Sequence, residues 1–312
     1  MNLATARGIG SSVIGIILSI VVAPALLFFS KADVANARGY FWVALILSVA
    51  MVPVFWLCAA GCKEKYTEQL HASQPAEKMG LIKSLKEIVK NDQLLLVVLC
   101  TVLGTICVSG RMGLLTYYII YVVGDFRVIA TVFTSMTVAQ LIGTLSVPWG
   151  TKTFTKKGYL IILNVIMCIG FLLLFLNPHC SQTYLLVVSF ICGLTNAASA
   201  ICPGMVSDCI EYGDWKLGRR QEGIAASMLS FGVKLSTAIS GSAGVLLLSA
   251  AGYVANAEQT PAAQQGINIV VNLVPLIICV ISILPLLFYK LSPKKVEEIR
   301  ADLDAGKRAC DK

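Results

Sequence analysis

Along the 312-residue chain, apolar runs of about 20 residues or more alternate with short polar stretches that hold nearly all the charge. Eight runs stand out, at 8–29, 39–61, 93–123, 128–150, 158–176, 183–206, 223–251 and 266–289. Each is long enough to cross a hydrocarbon core about 30 Å thick as a helix with some tilt. Their β-branched residues do not argue for strands, because lipid offers the backbone no hydrogen-bonding partner and a helix satisfies its own groups. The pattern predicts an all-α membrane protein, a helical bundle of eight transmembrane helices joined mostly by short loops. One connection is longer, from Cys62 to Asp92. It divides the chain into two helices over 1–61, a linker over 62–92, a six-helix bundle over 93–290 and a tail over 291–312. In the linker, Met79, Ile82, Leu85 and Val89 share one helical face and Lys78, Lys83, Lys86 and Lys90 another. That suits a helix lying on anionic headgroups or, equally, a solvated linker helix.

Composition removes other classes. Hydrophobic residues make up 57% and charged residues 13% of the chain, about half the usual charged share of about 25%. A soluble enzyme so apolar would expose large sticky patches. The formal net charge of +8 points to nucleic acid only until the basic residues are placed. They gather on alternate connections, at Lys63–Lys90, Lys152–Lys157, Lys216–Arg220 and Lys290–Lys312, with Lys31, Arg38 and Arg127 on the opposite side. The positive-inside rule then sets both termini in the cytoplasm of a multi-pass protein of the cell membrane, and leaves nucleic-acid binding without support. The 11 cysteines form no C-x-x-C pair and the 2 histidines, His71 and His179, fall in loops, so neither a disulfide framework nor a metal site is expected.

Charges inside spans are the most informative residues, since each costs at least about 2.5–3.5 kcal/mol at a helix centre. Lys234 falls about eleven residues into its span, roughly 16 Å from the basic end. Ser227, Ser230, Ala238 and Gly241 share its face, read as a small, polar face turned into the bundle, for a substrate path or for a pairing with a buried carboxylate. The series Gly232, Ser236, Ser240, Gly244 allows close helix approach. Arg111 lies deep in another span among Gly104, Gly110 and Gly113, ahead of Tyr117, Tyr118 and Tyr121. Its planar fork suits a carboxylate or sugar hydroxyls, or a static ion pair, and tyrosines stack on pyranose faces as well as anchor at interfaces. Four acids and three bases crowd the stretch from Asp208 to Gly223, including Asp208, Glu211, Arg220 and Glu222. They suit a salt-bridge gate between bundles, an incidental solvated cluster, or an intramembrane transferase using Asp208 and Glu211 as its carboxylate pair.

This stretch, with Lys90-Asn91-Asp92-Gln93-Leu94, Tyr117-Tyr118, Tyr121 to Asp125, Val233-Lys234 and Gly252-Tyr253-Val254 with Asn256, Glu258 and Gln259, resembles the glycoside–pentoside–hexuronide:cation symporter family of the major facilitator superfamily. The resemblance runs over essentially the whole chain, which looks like helices five to twelve of twelve. It implies symport of a sugar with a sodium ion or proton by a monomer, without a cofactor. By the same resemblance Arg7 matches a sugar-contacting arginine, and Lys234, with Ser230 and Val233, a pocket near the sugar and cation sites. Asp208, Glu211, Arg220 and Glu222 match the cytoplasmic gate. Ser199 falls where the family carries a tryptophan near the sugar. The family's cation-binding carboxylates lie on helices one to four, so the chain is expected to be N-terminally truncated. A non-transporting fragment or a sensor derived from a transporter is the remaining expectation.

Overall fold

The computed structural model describes residues 10, 14, 21–22, 25, 28–29, 37–61, 90–125, 128–218, 222–254, 257 and 259–309. Arg7, most of the run at 8–29, the linker face of Met79 to Val89, Arg127, Arg219, Arg220, Asn256 and Glu258 lie outside them. The chain divides into two compact units, one of residues 13–81 and one of residues 1–12 with 82–312. All regular structure among the described residues is helical, and six helices there are long and apolar enough to cross a membrane.

The smaller unit contributes α1, Ala37–Gly61, without a charged residue beyond Arg38. The larger unit begins with α2, Asp92–Tyr118, capped where the Asn91 side chain accepts from the Leu94 N–H at 3.2 Å, and prolonged by a π-helical turn at Ile119–Val123. A 49-residue stretch, α3, Val128–Leu176, is too long for one crossing and turns back on itself at Thr155. Thr155 takes the left-handed region at φ 65°, costly for a β-branched residue, and its hydroxyl accepts from the Gly158 N–H at 3.2 Å. The two arms are antiparallel, since Ser146 and Tyr159 share a hydroxyl hydrogen bond of 2.5 Å. They correspond to the expected runs 128–150 and 158–176.

The expected run 183–206 is corrected. The structure has α4, Gln182–Thr195, and α5, Ala198–Leu217, broken at Asn196–Ala197. Asp208, Glu211 and Asp214 therefore lie on helix, and the loop starts only at Gly218. The rest is α6, Glu222–Ala250; α7, Pro261–Asn268; a π turn at Ile269–Leu273; α8, Val274–Phe288; and α9, Pro293–Asp304. The tail is thus partly a helix, with Val296 and Ile299 buried in the same core as Leu94, Met205 and Cys209.

Lipid gives apolar side chains no reason to leave it, so these helices hold together by fit. A Cβ added at Gly193 of α4 would stand 2.6 Å from the Met136 carbonyl oxygen of α3, and one at Gly232 of α6 2.9 Å from Val102 of α2. Gly110 faces Ser240 and Gly244 faces Leu114 in the same register, so α2 and α6 run parallel. The spacing-four series on α6 is its buried face. We expect Gly193→Leu to destabilise the larger unit by about 3 kcal/mol, the upper range for overpacking, with lower yield of monodisperse protein. An unchanged melting temperature in detergent would refute this close fit.

Candidate functional site

Two polar regions follow from this packing. The first is at the basic end, where α2 and α6 begin and α5 and α8 finish. Asp208 is buried on α5 and its carboxylate takes Lys156 Nζ, from just past the Thr155 turn, at 2.5 Å. Lys156 also donates to the Gly204 carbonyl at 3.2 Å. From α9, Arg300 places Nε 2.6 Å from Glu211 and Nη2 3.8 Å from Asp208. The Glu211 carboxylate holds the Arg300 pKa above its ordinary value. Trp215 Nε1 donates to Asp302 at 3.2 Å, and Arg308 reaches Asp214 at 3.3 Å. On the α2 side, Asp92 takes Lys216 at 2.7 Å and the Tyr212 hydroxyl at 3.3 Å, while Asn91 donates to the Cys209 carbonyl at 2.8 Å.

Of the expected gate residues, Asp208 and Glu211 are thus brought together, with partners the sequence did not indicate: Lys156 and Arg300. Glu222 lies exposed at the start of α6 and Arg220 is outside the described residues. Both carboxylates of the pair weighed for a transferase are engaged by these cations. The spacing of Val296, Ile299 and Leu303 on α9 was the available sign that the tail docks.

The second region lies at membrane depth. Ser227, Ser230, Lys234, Ala238 and Gly241 form one face of α6, and all five are exposed. Val233 beside them is half-buried. The expectation that this face turns into the six-helix bundle is corrected: Gly232, Ser236, Ser240 and Gly244 fill the packed side, and Lys234 is left opposite. Arg111 does the reverse. It is 2% exposed, with its guanidinium carbon 4.9 Å from the Phe171 ring centre and Met136, Met167, Cys192 and Asn196 around it. In the parallel register of α2 and α6, Arg111 is level with Gly241 and Lys234 with Gly104, so the structure does not gather the two cations into one site. The tyrosines after Arg111 are engaged too. Tyr117 and Tyr121 pack edge-on against Tyr253, and the Tyr118 hydroxyl donates to the Pro178 carbonyl at 3.2 Å. Ser199 is exposed, its hydroxyl donating to Asn196 O at 2.9 Å.

Long apolar helices packed by small residues define a multi-pass membrane protein. The chain belongs to the MFS/sugar transport protein family, whose family model matches residues 2–293. It is 28% identical over 307 residues to the isoprimeverose transporter of Lactiplantibacillus pentosus, covering 97% of this chain and 63% of that protein. It is also 28% identical over 313 residues to a glucuronide carrier protein homolog of Escherichia coli, covering 98% and 66%. A putative sulfoquinovose importer of the same bacterium is 28% identical over 304 residues, covering 96% and 63%. The chain spans a little under two thirds of the length of these curated relatives.

Asp208 and Arg300 should differ sharply in consequence. Asp208→Ala strands Lys156 in a half-buried position and is expected to cost about 3 kcal/mol, as for a broken buried pair. Arg300→Ala removes an exposed cation and is expected to cost less than about 1 kcal/mol. Thermal unfolding of the two variants in the same detergent checks the order; equal shifts would contradict it.

Proposed function

We propose that the protein is a secondary transporter of sugars or glycosides, taking substrate across the cell membrane together with a sodium ion or proton by alternating access. The observation that carries this reading is the exposed face of α6. A lysine at membrane depth faces a bundle interior or a water-filled cavity, because lipid does not tolerate it. Here the lysine is on the open side of its own bundle with two serines, an alanine and a glycine, which leave room for hydroxyl-rich substrate and supply polar partners. On this reading Ser230, Val233 and Lys234 line the substrate path, with Arg7 as a further sugar contact. The chain supplies one six-helix bundle and two helices of another, eight spans in all and helices five to twelve of the family's arrangement, with both termini cytoplasmic. The coupling-ion site would then fall mainly on helices other than these, and the transporter would work as a monomer.

Two of the relatives are named for acidic sugars, a glucuronide and sulfoquinovose, and a lysine side chain offers N–H donors to their carboxylate and sulfonate groups as well as to neutral hydroxyls. We therefore favour an acidic glycoside. Cells producing the protein should accumulate labelled glucuronide in a manner driven by an imposed sodium or proton gradient. Lys234→Ala should reduce accumulation to background while the amount of membrane-inserted protein is unchanged. Accumulation retained in that variant would give Lys234 a structural role, and none with the unaltered protein would remove the transport reading.

A further inference from the structure

The transport reading uses Lys234 and leaves the second deep cation unexplained. Arg111 is 2% exposed, and its Nε and Nη2 groups have no hydrogen-bond partner among the described residues. Among the described residues no carboxylate comes within ion-pair distance of it. The Phe171 ring, 4.9 Å from the guanidinium carbon, attracts the cation but leaves the in-plane N–H groups unanswered. A buried guanidinium without counter-charge is strongly destabilising, and unsatisfied buried donors are rare enough to demand an explanation.

The cavity beside Arg111 is bordered by Met136, Met167, Phe171, Cys192 and Asn196, with about 10 Å³ free for the centre of a water-sized group. That is about the room one water needs, the scale of a single small ion and well below that of a sugar ring. A single water would answer an N–H but not the charge. The Asn196 amide and the Cys192 thiol can each donate to an anion, and the methionine sulfurs and aromatic ring offer soft, polarizable walls.

We propose that Arg111 holds one halide-sized anion, chloride under ordinary conditions, as a resident counter-charge inside the six-helix bundle, separate from the substrate path on α6. The proposal goes beyond the transport reading, and its test requires no transport.

The purified full chain in detergent, at constant ionic strength in sodium gluconate, is titrated with radiolabelled chloride. Saturable binding of one chloride per chain is expected, displaced by bromide and not by sulfate. Arg111→Gln should weaken it by at least about a hundredfold, through loss of two charge-assisted hydrogen bonds. Asn196→Ala should weaken it severalfold, and Lys152→Ala, which removes an exposed lysine, should leave it unchanged. Should Arg111→Gln fail to fold, the unaltered protein still decides: its melting temperature must be higher in sodium chloride than in gluconate. No saturable binding, equal binding by a folded Arg111→Gln, or equal melting in both salts would overturn the proposal. Displacement of chloride by glucuronate but not by glucose would also overturn it, by making this the anchor of a substrate carboxylate.

Discussion

The hydrocarbon interior offers no hydrogen-bond partner, and that constraint governs every part of this molecule. It makes each described element helical, and it governs side chains as well as backbone. Thr101, Thr137, Thr144, Ser236 and Ser242 each return their hydroxyl to the carbonyl four residues earlier, at 2.7–2.9 Å. Hydroxyls satisfied within their own helix are free to sit at helix contacts, as Ser236 and Ser240 do on the buried face of α6. Packing then falls to shape, which is why glycines recur where α3 meets α4 and where α2 meets α6.

The same constraint decides what could be read from sequence. Span positions were legible, because hydropathy measures the property that lipid selects. The fold-back of α3 was legible as two runs separated by lysines, although the left-handed Thr155 that makes the turn carries no local signature. The end of α5 was not: the helix continues through Asp208 and Asp214 because Lys156 and the tail helix receive those charges, and partners 52 or 94 residues away leave no periodic trace. The orientation of faces was also hidden. In a soluble helix polarity marks the outside, whereas in a membrane bundle a polar face can equally turn inward. The face of Lys234 read as the inward one and the series Gly232–Gly244 as a further close approach, and contacts with α2 chose the series.

Arg111 and Lys234 looked alike as sequence and differ in kind as structure. Each is a lone cation in an apolar helix, with the same insertion cost to first order. Packing buries the arginine among methionines and an aromatic ring and leaves the lysine open. An open cation on a small-residue face suits exchange with a passing substrate. An enclosed one suits a ligand that stays. The sequence left each open to a substrate contact or a static pairing, and the fold gives the two different access.

The ion pairs at the basic end bear on how such a protein moves. A salt-bridge gate would join one bundle to the other, yet the described partners of Asp208, Glu211, Asp214 and Asp92 are Lys156, Arg300, Arg308 and Lys216 of the same unit. These contacts tie α2, the turn of α3, α5 and α9 together across the end of one bundle, with Val296 and Ile299 of α9 sealing the join. Rocking about a central site needs each bundle to move as one body, since motion lost inside a bundle does not reach the gate. The described ion pairs of the carboxylates that first suggested a latch between bundles thus fall within one unit, as rocking by whole bundles would require.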